Sequence, residues 1–223
     1  MELNHKRLLQ KAALFKDIDE NECASMIDCL SPYVRHFSKN EIILSTGDYV
    51  HHIGIILYGN ACANLEHMDG SQTIMSNLVP MSVFGEVLVS TRTHKSPVTV
   101  YATSDVTAAY IDYQKVCSMC EAACAAHRMF LKNVLKAIGD KYFLLFDRIN
   151  ILREKSLRSK IMAYLYALSD GGKTAIVTIP FTKTMLADYL LVNRSALSKE
   201  LRQMECDGVI AVNGRKIEIK CRG

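Results

Sequence analysis

The sequence predicts an α+β chain in three parts. Three observations carry that expectation: short glycine-punctuated strand-like runs from residue 40 to 112, a proline-free heptad seam from 128 to 155, and a basic stretch of short amphipathic runs closed by a hairpin signal. At 223 residues the chain can bury a proper core. With 49% apolar and 22% charged residues and no low-complexity tract, its composition is that of a soluble globular protein. The start, MELNHKRLLQKAALF, has neither a long apolar run nor a small-residue cleavage site, and no uncharged run elsewhere approaches a membrane span. A cytoplasmic protein with no membrane partner is expected, and in that reducing setting the eight cysteines read as thiols.

The β part comes first, in a domain expected over residues 1–127. EIILSTGD, IGIILYGNACANLEH, SQTIMSNLV, PVTVYA and VTAAYI are rich in β-branched and aromatic residues. Asp69-Gly70 between two of them is a hairpin signal, and the spacing is that of a small β-roll.

A helix is expected next, over residues 128–155. Leu131, Leu135, Ile138, Tyr142, Leu145, Ile149 and Leu152 are spaced 4, 3, 4, 3, 4, 3, an a/d seam held for three heptads. The seam marks a dimerisation helix, so a second copy of the chain is an expected partner. Val134, Phe143, Leu144 and Phe146 add a second apolar face, which could pack on the β-roll.

The last part is expected over residues 156–223. SLRSKIMAYLYAL reads as a helix ending near Asp170-Gly171-Gly172, and TAIVTIP as a short strand. Thr182 can cap a helix that buries Leu186, Tyr189 and Leu190. Asn193 can cap the next, whose Leu197, Leu201 and Met204 face inward while Arg194, Ser195, Ser198, Lys199 and Arg202 face out. Asp207-Gly208 stops that helix, and Asn213-Gly214 turns a hairpin carrying Arg215 and Lys216. This order is a winged helix-turn-helix. Its polar, basic helix fits a DNA major groove, where Arg194 and Lys199 have the length and donors to reach guanine or phosphate.

Charge points the same way. Residues 1–150 carry 14 Lys and Arg against 16 Asp and Glu, a net −2, whereas residues 151–223 carry 13 against 7, a net +6. A compact basic module of this kind suits a polyanion such as double-stranded DNA.

ADYLLVNRSALSKELRQMECDGVI resembles the recognition segment of the Crp/Fnr family of bacterial transcription regulators, and GDYVHHIGIILYGNACANL with VFGEVL resembles that family's effector domain, a cyclic-nucleotide-binding-like jelly roll. The resemblance implies that positions matching Arg194, Ser195 and Lys199 face bases or phosphates. It also implies palindromic promoter DNA, a small-molecule effector and RNA polymerase as partners. Leu191 departs from the pattern, because that turn position often carries glycine. A left-handed leucine there costs roughly 1 kcal/mol.

In the members that bind cyclic AMP, a Gly-Glu pair followed by Arg-Ser holds the nucleotide. Here Gly85 and Glu86 are present, but the second motif reads Lys95-Ser96, and lysine lacks the bidentate fork that suits phosphate. The family's polar adenine contacts fall at Leu145 and Phe146, which offer no hydrogen bonds. The expected effector is therefore not cyclic AMP, and an apolar or aromatic molecule suits a pocket between the roll and the long helix; its identity stays open. The plainer reading of Gly85 and Glu86 is a turn that closes the roll.

The iron-sulfur members use a tight N-terminal cysteine group, whereas this N-terminus offers only Cys23 and Cys29. His51 and His52 could ligate a haem, although a solvated loop explains them more simply. Cys117, Cys120, Cys124 and His127 are spaced to share one stripe of a helix. One straight helix cannot bring all four to one metal, so no metal site is assigned and small buried thiols are the expectation. A redox- or metal-sensing regulator using residues 117–127 is the alternative. No enzyme is expected, since GxxxxGK[ST], HExxH and GxSxG are all absent. An effector-binding scaffold that ignores DNA is a further alternative.

Overall fold

The computed structural model describes residues 3–67, 70, 72–118, 125–169, 171 and 175–220. The chain divides into two compact units, Met1–Lys141 and Tyr142–Gly223.

The first unit is built on two four-stranded antiparallel sheets. One joins β1 (Tyr33–Phe37), β8 (Val106–Asp112), β3 (His52–Tyr58) and β6 (Val83–Phe84) in that order. The other joins β2 (Ile42–Leu44), β7 (Thr99–Ala102), β4 (Ala61–Glu66) and β5 (Gln72–Leu78). β4 and β5 pair around Gly70, so the expected hairpin forms, with Glu66 opposite Gln72. β1 precedes the start expected at residue 40.

Successive residues of β3 reach different cores, which is why HIGIILY reads as continuously apolar. Ile56 joins Phe37, Ala61, Val100 and Ala108 between the sheets. Ile53, Ile55 and Leu57 point the other way, onto Leu9, Ile27 and Leu30 from helices α1 (Leu3–Leu9) and α2 (Glu20–Leu30).

After α3 (Glu86–Val89) and α4 (Tyr113–Cys117) comes the long helix α5, Ala125–Arg153. It starts and ends within a few residues of the sequence expectation. Ala126, Phe130 and Val134 are buried in the first unit's core, whereas Ile151 belongs to the second unit's core. The helix is therefore shared between the units.

The second unit adds α6 (Leu157–Leu168), β9 (Ile176–Thr178), α7 (Lys183–Tyr189), α8 (Arg194–Cys206), β10 (Ile210–Asn213) and β11 (Lys216–Ile219), with strands ordered β10-β11-β9. Its core gathers Leu165, Leu186, Leu190, Leu197, Met204, Ile210 and Ile217. Fully burying one such aliphatic side chain contributes about 1.5–3 kcal/mol, so this small unit is held by its apolar helix stripes.

Candidate nucleic-acid interface and effector cavity

The turn between α7 and α8 is fixed by local chemistry at both ends. Thr182 caps α7, its side chain accepting from the Met185 N–H at 3.2 Å. At the other end the Val192 N–H donates to Ala187 O at 3.0 Å and the Leu191 N–H to Asp188 O at 3.2 Å, the two bonds of a Schellman closure. That closure needs a left-handed residue, and Leu191 supplies it at φ 54°. The departure from glycine at this position is therefore a strained leucine, 58% exposed. Asn193 stands at the N-cap of α8, but its side chain makes no capping hydrogen bond, which corrects the expectation that it caps that helix. α8 ends as expected at Asp207-Gly208, where Gly208 takes φ 69°.

α8 buries Leu197, Leu201 and Met204. Arg194, Ser195, Lys199 and Arg202 are exposed, and Ser198 is half-buried beside them. The acids of this segment are engaged elsewhere. Arg158 of α6 reaches Glu200 through Nε at 2.7 Å and Asp207 through Nη2 at 2.6 Å. Glu205 accepts from the Val212 N–H at 3.0 Å and so ties the hairpin to α8. Among the described residues no ion pair takes up Arg194, Lys199 or Arg202, so the exposed face of α8 is cationic. In the hairpin, Asn213 pairs with Lys216, so the loop is Gly214-Arg215, one residue later than the Asn-Gly signal implies. Gly214 at φ 61° in the first loop position fits a type II′ turn. Arg215 and Lys216 are exposed at its tip.

The other end of the second unit is anchored by aromatic packing. The Arg148 guanidinium lies 4.6 Å from the centre of the Tyr189 ring, and that ring packs in tilted contacts on Phe181 at 5.2 Å and Tyr164 at 5.5 Å. Burial pushes the Tyr189 hydroxyl pKa up, with Arg148 pulling the other way. Sequence reasoning missed both Arg148 and Arg158, because their partners lie some forty residues along the chain.

A cavity of about 140 Å³ opens in the first unit. Gly85 and Glu86 line it with Leu44, Leu78, Phe84, Val98 and Lys141. Gly85 takes φ 82°, and a Cβ there would lie 2.8 Å from His52 O, so the position demands glycine. The Glu86 side chain is fully buried and pairs with Lys141 Nζ at 2.5 Å, while that ammonium also donates to Val83 O at 2.9 Å. Lys95 and Ser96 are not among the lining residues. The Lys95 ammonium sits 5.1 Å from the centre of the Tyr49 ring, and the buried Ser96 hydroxyl donates to Val98 O at 2.7 Å. Leu145 and Phe146, expected on the pocket's helix side, lie in the second unit, 50% and 48% exposed.

The heptad seam is split by burial. Leu131 and Ile138 pack partly against the first unit's core, and Leu152 is half-buried. Leu135, Tyr142, Leu145 and Ile149 are 50–64% exposed. Val134 is buried as the second-face reading requires, but Phe143, Leu144 and Phe146 are exposed, which corrects their place in it.

Cys117 and His127 do not share one helix. α4 ends at Cys117, Ser118 turns extended, and His127 lies in α5. His127 is buried, with Nε2 2.7 Å from Val116 O, a core role that occupies that ring nitrogen. Cys120 and Cys124 lie outside the described residues. Among the described residues no group of three or more His, Cys, Asp or Glu is placed to hold a metal. His52 is not in a loop but begins β3, its ring 5.3 Å from that of Tyr33.

Residues 34–123 match the cyclic nucleotide-binding domain, and residues 159–222 match the Crp-like helix-turn-helix domain, together more than two thirds of the chain. Among curated proteins there is no significant sequence match. Of the solved structures, a CooA mutant from Carboxydothermus hydrogenoformans is similar, at 19% identity and a TM-score of 0.67 over 87% of this chain and 86% of that one. The c-di-GMP responsive global regulator CLP of Xanthomonas campestris is similar too, at 14% identity and 0.64 over 89% and 100%. FixK2 of Bradyrhizobium japonicum follows at 15% and 0.60 over 86% and 93%. At such identities these likenesses establish a shared fold. With both domains matched in this order, and with a jelly roll, a long helix and a winged helix-turn-helix in sequence, the chain belongs to the Crp/Fnr family of transcription regulators.

Proposed function

We propose that this regulator acts as a cytoplasmic homodimer that binds palindromic promoter DNA and is switched by a small effector other than cyclic AMP. The observation that carries the DNA reading is the exposed cationic face of α8, whose Arg194, Lys199 and Arg202 have no ion-pair partner among the described residues while Arg158 engages Glu200 and Asp207. Arg194, Ser195, Ser198, Lys199 and Arg202 would enter the major groove, and Arg215 and Lys216 would contact phosphates from the hairpin. RNA polymerase is the natural further partner at a promoter, and the chain is read as a regulator rather than an enzyme.

Dimerisation is supported by the row Leu135, Tyr142, Leu145 and Ile149, an exposed apolar stripe of the kind that marks an interface. The effector site is read at Gly85 and Glu86. Cyclic AMP is disfavoured because Glu86 is already paired with Lys141 and the Lys95 ammonium lies over the Tyr49 ring.

Selection of genomic fragments by the purified protein tests this reading. The expected product is an inverted repeat whose half-sites lie about 34 Å apart, or a multiple of that, bound by two copies of the chain. Enriched fragments sharing no motif, or no retention of DNA at all, would overturn it.

A further inference from the structure

We infer that the second unit carries a ligand site of its own: the cavity beside the β10–β11 hairpin takes a small aromatic carboxylate, with its ring in the apolar interior and its charge on Lys183 and Arg215, and thereby withholds the hairpin from DNA. The inference rests on reading that hairpin as a phosphate contact, and it adds a ligand that competes for it.

The interior sets the body of the ligand. The cavity measures about 190 Å³. Phe181 lines it from just before α7, Leu186 from within α7, Leu201 from α8, and Val212 and Ile217 from the two strands of the hairpin. Leu186, Leu201 and Ile217 are buried members of the second unit's core, so the cavity opens directly onto apolar packing. An apolar protein cavity of roughly 150 Å³ holds one benzene ring. The volume here therefore suits one ring with a short substituent.

The rim sets the charge. Lys183 and Arg215 are exposed and are the ionisable residues of the lining, which includes no acid. Among the described residues no ion pair takes up either cation. The acids nearest the hairpin are turned to other uses. Glu205 accepts from the Val212 N–H at 3.0 Å, and Glu218 is exposed on the face of β11 opposite buried Ile217. The backbone of Arg215 is held in place, because its carbonyl oxygen accepts from the Ile179 N–H at 2.8 Å. Its planar guanidinium matches the two oxygens of a carboxylate, and the Lys183 ammonium adds a second positive charge.

Only a ligand with both halves uses the whole site. Inorganic phosphate or acetate would meet the cations and leave the interior empty, whereas a neutral arene would fill the interior and leave the cations without a partner. The same guanidinium fork cannot clasp a ligand carboxylate and a DNA phosphate together, so the two compete.

Titration calorimetry on the full chain at constant ionic strength tests the inference, with benzoate as the probe and benzamide and acetate as comparisons. Benzoate is expected to bind at least tenfold more tightly than either, since acetate lacks the buried ring and benzamide the charge-assisted hydrogen bonds. K183A and R215A are each expected to weaken benzoate about tenfold and to leave benzamide within about twofold. V212F, which fills the cavity from the hairpin, is expected to remove binding of both; melting curves show that each variant folds. Benzoate at ten times its dissociation constant is expected to weaken binding of the selected DNA about tenfold or more. No benzoate binding, benzoate no tighter than acetate or benzamide, full benzoate affinity in folded K183A and R215A, or DNA affinity unmoved by bound benzoate overturns the inference. Sequence-selective DNA binding by a chain that ignores benzoate sinks this inference and leaves the regulator reading intact. Benzoate held through Lys183 and Arg215 by a chain that selects no DNA keeps the ligand site and sinks the regulator reading.

Discussion

Replacing Leu145 by alanine tests the dimer seam with a predictable size. In one copy of the chain this leucine is 50% exposed. Fully burying a leucine is worth about 1.5–3 kcal/mol, so the half that remains for a partner to cover is worth about 1 kcal/mol. A two-fold interface uses the same residue twice, which raises the loss to about 2 kcal/mol per dimer. At 1.4 kcal/mol per decade the dimer dissociation constant should rise about 30-fold. Sedimentation across a concentration series reads that shift directly. The thermal midpoint of the separated chain should hardly move, since the side chain is already half in water. Val134→Ala is the contrast: it is 2% exposed in the first unit's core, so at about 0.8 kcal/mol per buried methyl it should cost about 1.6 kcal/mol of folding stability and leave the dimer constant unchanged. Ile138 is a poorer probe than its heptad position suggests, because it is partly packed on that same core. A Leu145→Ala chain with an unaltered dimer constant would refute the assignment of this stripe to the interface.

Leu191→Gly should relieve about 1–2 kcal/mol of left-handed strain and lose about 0.5–1 kcal/mol to the freer unfolded chain, a net gain near 0.5 kcal/mol in thermal unfolding; a clear loss would mean that the leucine side chain packs against something important. Gly85→Ala, strained by φ 82° and by a 2.8 Å approach to His52 O, should destabilise the first unit by about 1–3 kcal/mol, and an unchanged melting curve would contradict the turn geometry. Burial, with Glu20 adding to it, pushes the Cys23 thiol up to about 11, so its thiolate and its reactivity appear only as pH rises toward that value. At pH 8 iodoacetamide should modify exposed Cys29 and Cys206 and spare Cys23 and Cys62, as read by peptide mass spectrometry; equal labelling of Cys23 and Cys29 in folded protein would contradict it.

The helix-turn-helix was legible because its determinants are local. Thr182, the apolar positions of α8 and Gly208 act within a turn or two of themselves, and even the strain at Leu191 could be read from one residue standing where glycine belongs. What escaped depends on distant partners. β1 hides in YVRHF, a mixed run that becomes a strand only by pairing with β8 some seventy residues later. Glu86 and Lys141 are 55 positions apart, so a pair that changes the chemistry of the cavity looks in sequence like an isolated acid and one more helix lysine. Asn193 has the right chemistry and position for a cap yet makes no bond, and the hairpin loop slips one residue because Asn213 is drawn into the ladder with Lys216. The heptad pattern showed which residues share a stripe of α5, but not that Leu131 and Ile138 would be partly spent on the first unit's own core.

The central claim is that α8 reads bases while the hairpin holds the backbone, and the most direct test is a titration of Arg194→Ala and Lys216→Ala against the selected site and a scrambled one over a range of salt. Arg194→Ala should lose about 1–3 kcal/mol on the selected site and relax preference at one base position. Lys216→Ala should weaken both DNAs alike and lower the salt slope by about one. Equal, sequence-blind losses from the two variants would mean that Arg194 touches only phosphate, and the claim that α8 is the recognition helix would fall.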